Sequence, residues 1–140
     1  MEEFKVTKEQ AEEEFKRWCE TVDLDCDEAE MNEEDYKSFL PHKNKIVKAI
    51  MKGVAVIDGE NMEYTLSDKS VDGLAGKKIT IPRPSAKLFS GMDGFKETQN
   101  IKRTQGAMSA LCGLDIGVFT KMEIPDWKFF NAVCMLFLAS

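Results

Sequence analysis

Two β-prone runs, Val54-Ala55-Val56-Ile57 and Met62-Glu63-Tyr64-Thr65-Leu66, flank Asp58-Gly59-Glu60-Asn61, and no other feature constrains the chain as strongly. An Asp-Gly turn between runs of this kind specifies an antiparallel hairpin. Lys78-Ile79-Thr80-Ile81 alternates polar and apolar residues as a third, half-buried strand does. Pro82 and Pro84 end it, and a proline cannot donate to a ladder, so this strand is expected at a sheet edge or leaving one. Helical patterns lie before and after these strands instead of alternating with them. That order predicts an α+β fold, a small antiparallel sheet flanked by N-terminal helices and a C-terminal helical subdomain. At 140 residues the chain suits one domain spanning 1–140, because two cores would each lie near the lower size limit for folding.

The helical segments announce themselves by caps and apolar spacing. Thr7 and Gln10 resemble a capping box, and Ala11, Phe15, Trp18, Cys19 and Val22 recur behind them, predicting a helix from about Lys8 to Val22. The acidic stretch Asp23 to Glu34 reads as a loop that opens a second helix near Asn32, which Pro41 is expected to interrupt. Ile46, Val47, Ile50 and Met51 then mark a helix from about His42 to Lys52, stopped by Gly53. Ser67 to Lys77 reads as a loop and Ser85 to Phe89 as a short helix or turn. A helix from about Phe95 to Cys112 follows, with Gly113 as its stop, and Asp115 can cap a short segment carrying Val118, Phe119 and Met122. The expected core includes Trp18, Ile50, Leu111, Trp127 and Phe130.

Charge is divided unevenly. Residues 1–35 carry 15 Asp and Glu against 4 Lys and Arg, a net of −11, whereas the remaining residues carry a net of +5. An acidic N-terminal helical segment, about 1–45, therefore sits beside a mildly basic body, and the lysines of that body can meet the acidic segment within one chain or in a neighbouring copy. Lys43, Lys45, Lys48 and Lys52 fall on one helix, and Lys77, Lys78, Arg83 and Lys87 surround the last strand. With a net charge of −6 and no nucleic-acid motif, a nucleic-acid role is not expected. The longest nearly apolar run, Phe129 to Ala139, is too short to span a bilayer, so no membrane role is expected. Met1-Glu2-Glu3-Phe4-Lys5 lacks the basic flank and apolar centre of a secretory signal, which predicts a cytoplasmic protein.

Chemistry-bearing constellations are scarce, and the chain is not expected to be an enzyme or to hold a cofactor. His42 is the single histidine, and no nucleophile-elbow, phosphate-loop or dinucleotide motif occurs. Cys19, Cys26, Cys112 and Cys134 are too irregularly spaced for a disulfide framework and are expected as free thiols. Asp23-x-Asp25-x-Asp27, with Glu34 in twelfth place, has calcium-loop spacing, but Glu28 occupies the position that needs glycine for the turn. No strong calcium site is expected there.

One resemblance bears on function. Gly76-Lys77-Lys78-Ile79-Thr80-Ile81-Pro82-Arg83-Pro84-Ser85, then Ala110-Leu111-Cys112-Gly113-Leu114, then Met122-Glu123-Ile124-Pro125-Asp126-Trp127 before an apolar helix resemble the tail assembly chaperones of long-tailed bacteriophages. The likeness covers about residues 54–140. It implies a transient factor in the cytoplasm of the bacterial host cell that coats the tape measure protein and helps tail tube subunits polymerise around it. The partners implied are the tape measure protein or other tail proteins, with a homo-oligomer as a further expectation. A structural virion or tail-associated protein is the alternative.

The last helix carries the most specific expectation. Trp127, Phe130, Cys134, Phe137 and Leu138 gather on one side, assigned to the core, while Phe129, Ala132 and Leu136 fall nearly opposite with Met135 beside them. A helix apolar almost all round is either fully buried or offers a second face to a partner. The face of Phe129, Ala132, Met135 and Leu136 is here assigned to a partner.

Overall fold

In a computed structural model, residues 4–71, 73–96 and 98–139 are described. Met1 to Glu3, Asp72, Glu97 and Ser140 lie outside them, and with them part of the reading of the extreme N-terminus. The capping box forms as expected: the Gln10 amide donates to Thr7 Oγ1 at 3.2 Å and starts α1, Lys8–Thr21. Its buried stripe is Ala11, Phe15, Trp18 and Cys19. The chain then reverses at Asp23, whose φ of 59° lies in the left-handed region, and the Leu24 amide donates back to the Cys19 carbonyl at 2.8 Å. A single 3-10 turn, Glu28–Glu30, is capped by the Asp27 carboxylate.

Helix α2 runs from Glu33 to Lys52 without a break, and this corrects the interruption expected at Pro41. Proline removes one helical hydrogen bond and crowds the carbonyl four residues back. Both Lys37 and Pro41 are exposed, so water can satisfy that carbonyl, while Phe39, Ile46, Val47, Ala49 and Ile50 keep one buried face on both sides of the proline. The tertiary packing of that face overrides the local cost. Asn32 caps the start, accepting from the Asp35 amide at 2.7 Å, and Gly53 ends it at φ 77°.

Strands β1, Ala55–Asp58, β2, Asn61–Thr65, and β3, Lys78–Ile81, form one antiparallel sheet in the order β1-β2-β3. Gly59 and Glu60 make the two-residue turn, and Gly59 takes the positive φ it requires. The register places Ala55, Tyr64 and Ile79 in one row and Ile57, Met62 and Ile81 in the next, all on the helix-facing side. Val56, Glu63 and Thr80 share a row on the other side, where Val56 and Thr80 are exposed. The α+β class and the edge position of β3 are as the sequence indicates.

The C-terminal region holds α3, Lys87–Ser90, α4, Asn100–Cys112, α5, Ile116–Lys121, and α6, Ile124–Ala139. Helix α4 starts five residues later than expected, because the segment before it is spent in turns: the Lys96 amide donates to the Gln99 side chain and the Gln99 amide to the Lys96 carbonyl. Asp115 caps α5 by accepting from the Gly117 amide at 2.9 Å.

Helix α6 is the hub. It packs most extensively on α2. Its Phe137 ring lies 5.8 Å from Trp18 of α1, its Phe129 ring stacks at 4.2 Å on Tyr64 of β2, and its Phe130 ring meets Phe119 of α5 edge-on at 5.4 Å. A helix contacted from three directions must be apolar nearly all round. No helix among the described residues is long and apolar enough to cross a membrane.

Candidate interaction surfaces

The partner face assigned to α6 is corrected by this packing. Phe129 is 3% exposed, Ala132 0% and Leu136 4%, so these three belong to the core, and only Met135 of the four is half-buried. Trp127, expected in the core, is also only half-buried, while Trp18, Ile50, Leu111 and Phe130 are buried as expected. The helical spacing holds, but the sheet reaches this side of α6, where Tyr64 stacks on Phe129.

Large apolar side chains do reach the surface elsewhere. Phe89 of α3 is 59% exposed and Ile101 of α4 is 65% exposed, on two helices that meet where Gly91 approaches Gly106 backbone to backbone. Ile124, at the start of α6, is 69% exposed. Helical spacing puts Ile101 on one face with Gln105, Met108, Leu111 and Cys112, and the exposure of Ile101 corrects this: it lies in the first turn of α4, while Gln105, Met108 and Leu111 are buried. Phe89 lies on a helix of four residues, too brief for periodicity to separate inside from outside.

The charged segments line two separate cavities of opposite charge. Along α1 and the turn that follows it runs an open groove of about 760 Å³, floored by Phe15, Cys19 and Leu24. Its walls carry Glu9, Glu12, Glu13, Glu20, Asp25, Asp27 and Glu28 against Lys16 and Lys43. Lys43 turns away from the other α2 lysines and pairs with Glu28. The second patch is a hollow of about 210 Å³ where Lys45, Lys48 and Lys52 of α2 meet Lys128 of α6 above Val54, Tyr64 and Phe129, and no acidic residue lines it among the described residues.

Among the described residues, Arg83 of the body and Lys43 of α2 hold the acidic stretch after α1 within one chain. Arg83 pairs with Asp23 and also donates to the Thr21 carbonyl at 2.8 Å, while Lys43 holds Glu28. The four carboxylates with calcium-loop spacing are thereby dispersed: Asp23 turns to Arg83, Asp27 caps the 3-10 turn, Asp25 lines the groove, and Glu34 lies in the first turn of α2. Among the described residues, no three His, Cys, Asp or Glu side chains are grouped to hold a metal ion. His42 sits inside α2, not at a helix start, and burial followed by Lys45 lowers its pKa.

The reversal at Asp23 brings Cys26 back against Cys19, a pairing that spacing alone did not reveal. The Cys19 thiol is pushed up by its hydrogen bond with Cys26 and then by burial, and the same bond lowers the pKa of Cys26. Cys112 and Cys134 pack as apolar groups, and burial raises both to about 12.

An α+β domain with separated acidic and basic faces is the class this geometry defines. No family model, curated protein or solved structure matches the chain.

Proposed function

We propose that this chain is a tail assembly chaperone of a long-tailed bacteriophage, acting in the host cytoplasm by binding the tape measure protein while the tail tube assembles. One observation carries the reading: Phe89 and Ile101, both within the region that resembles the family, stand largely exposed on adjoining helices α3 and α4. A long helical client is apolar along one side, and its chaperone has to offer apolar contact while charge elsewhere keeps the complex dispersed. The net −11 of residues 1–35 supplies that charge.

The alternative, a structural subunit, is separated from the chaperone by mass spectrometry of purified phage particles. An assembly factor is absent from finished particles although abundant in the infected cell. Many copies per particle would favour the structural subunit and overturn the proposal.

A further inference from the structure

We propose that Cys19 and Cys26 form a thiol–disulfide exchange site, closing reversibly to a disulfide when a low-molecular-weight disulfide enters the groove along α1. The inference does not rest on the client-binding reading and uses none of its residues. Both cysteines are free thiols, and both line that groove. The chain between them turns back on itself: Asp23 takes a φ of 59°, and the Leu24 amide donates to the Cys19 carbonyl at 2.8 Å. The two thiols share a hydrogen bond. A disulfide requires Cβ atoms about 3.5–4.5 Å apart, and thiols in hydrogen-bond contact approach that geometry.

Access decides which thiol reacts first. Cys26 is half-buried and Cys19 is 2% exposed, so a reagent in the groove meets Cys26. The Cys26 sulfur attacks one sulfur of the reagent, the reagent's S–S bond breaks, and its leaving half departs as a thiol with the proton that Cys26 gives up. The Cys19 thiol then loses its proton and attacks the Cys26 sulfur of the mixed disulfide. The second half of the reagent leaves as a thiol with that proton. In total the protein gives up two electrons and two protons, and the reagent gains both.

The walls decide which reagent is preferred. Glu20, Asp25, Asp27 and Glu28 line the groove with the pair, and Lys43 is already paired with Glu28. A cleft of one charge sign concentrates ions of the other and raises their association rates by about tenfold or more. A cationic disulfide is therefore favoured over an anionic one. Closure adds a covalent tie between the end of α1 and the acidic stretch after it, alongside the Arg83–Asp23 and Lys43–Glu28 ion pairs. Cys112 and Cys134 lie elsewhere, in α4 and α6, and are expected to stay reduced.

The test is to treat the reduced full-length chain with cystamine, a cationic disulfide, or with glutathione disulfide, an anionic one, at low and high salt. Intact mass and peptide mapping follow the products, and each rate is divided by that reagent's rate with a small free thiol. The wild type is expected to lose the mass of two hydrogens, to yield a linked Cys19–Cys26 peptide, and to return to the starting mass with dithiothreitol. Cystamine is expected to react about tenfold faster than glutathione disulfide at low salt, with the gap narrowing at high salt. C19S, shown to be folded by circular dichroism, is expected to stop at a mixed disulfide on Cys26, and mapping of the wild type decides alone should C19S not fold. A mixed disulfide that persists on wild-type Cys26, a bridge that forms only in urea, first reaction at Cys112 or Cys134, or a faster reaction with glutathione disulfide overturns the proposal.

Discussion

The Tyr64 hydroxyl donates to Asp126 Oδ1 at 2.7 Å, joining the second strand to the first turn of the last helix across 62 residues of sequence. Asp126 is 3% exposed, and its other oxygen accepts from the Ser67 amide at 3.0 Å. This carboxylate therefore holds α6 against the hairpin at the place where Phe129 stacks on Tyr64. Replacing Asp126 with alanine leaves a buried hydroxyl and an amide without acceptors, and hydrogen bonds to charged groups are worth about 1.5–3 kcal/mol. D126A is expected to lose at least that much in urea unfolding. Y64F is expected to lose less, and the double variant less than the sum of the two.

Stability is expected to fall in alkali, and Cys134 explains part of the fall. The thiol is fully buried, and burial raises it to about 12 from an ordinary 9.0, so the unfolded chain gives up this proton first. Its contribution is complete below pH 9 and is lost as pH rises towards 12, at about 1.4 kcal/mol per pH unit. Tyr64, raised above its ordinary 10.0 by burial and then by Asp126, acts in the same direction at higher pH. Urea midpoints measured between pH 8 and pH 11 should decline less steeply for C134A than for the wild type, and parallel declines would refute this assignment.

Gly106 lies inside α4, where alanine is ordinarily the better helix former by about 1 kcal/mol. Here a Cβ would collide with the Gly91 carbonyl oxygen and come within 2.9 Å of the Phe95 ring. Overpacking of this kind costs about 1–3 kcal/mol, so G106A is expected to lower the melting temperature despite its better helix propensity. A rise would show that the two backbones are not in contact.

Substitutions along α6 should follow its burial, not its helical-wheel side. Phe130→Ala and Phe129→Ala remove buried rings and are each expected to cost about 3–5 kcal/mol. Trp127→Ala, at a half-buried ring, should cost distinctly less. Unfolding curves for the three variants rank them, and a Phe129 variant as stable as the wild type would restore that side to the surface.

Local signals in the sequence located most elements, and long-range packing decided the rest. The Thr7–Gln10 box, the Asp58-Gly59 turn, the Asn32 and Asp115 caps and the Gly53 and Gly113 stops each depend on residues within a few positions, so spacing exposes them. Pro41 misled because its local cost is outweighed by the buried face of α2, and the Phe129 side of α6 misled because Tyr64, distant in sequence, covers it. The opposed charges were visible as composition, but the groove and the hollow that gather them exist only once α1 has reversed at Asp23 and α6 has come to lie beside α2.

The central claim is that the chain binds a long helical client through the exposed side of α3 and α4. Its most direct test is to co-express the chain with a tape measure protein, the proposed client, purify that protein and count bound copies by native mass spectrometry. Several copies per tape measure protein are expected with the wild type, and few or none with F89S/I101S, whose circular dichroism should match the wild type. An absent complex, or one that F89S/I101S leaves at full occupancy, would contradict the account.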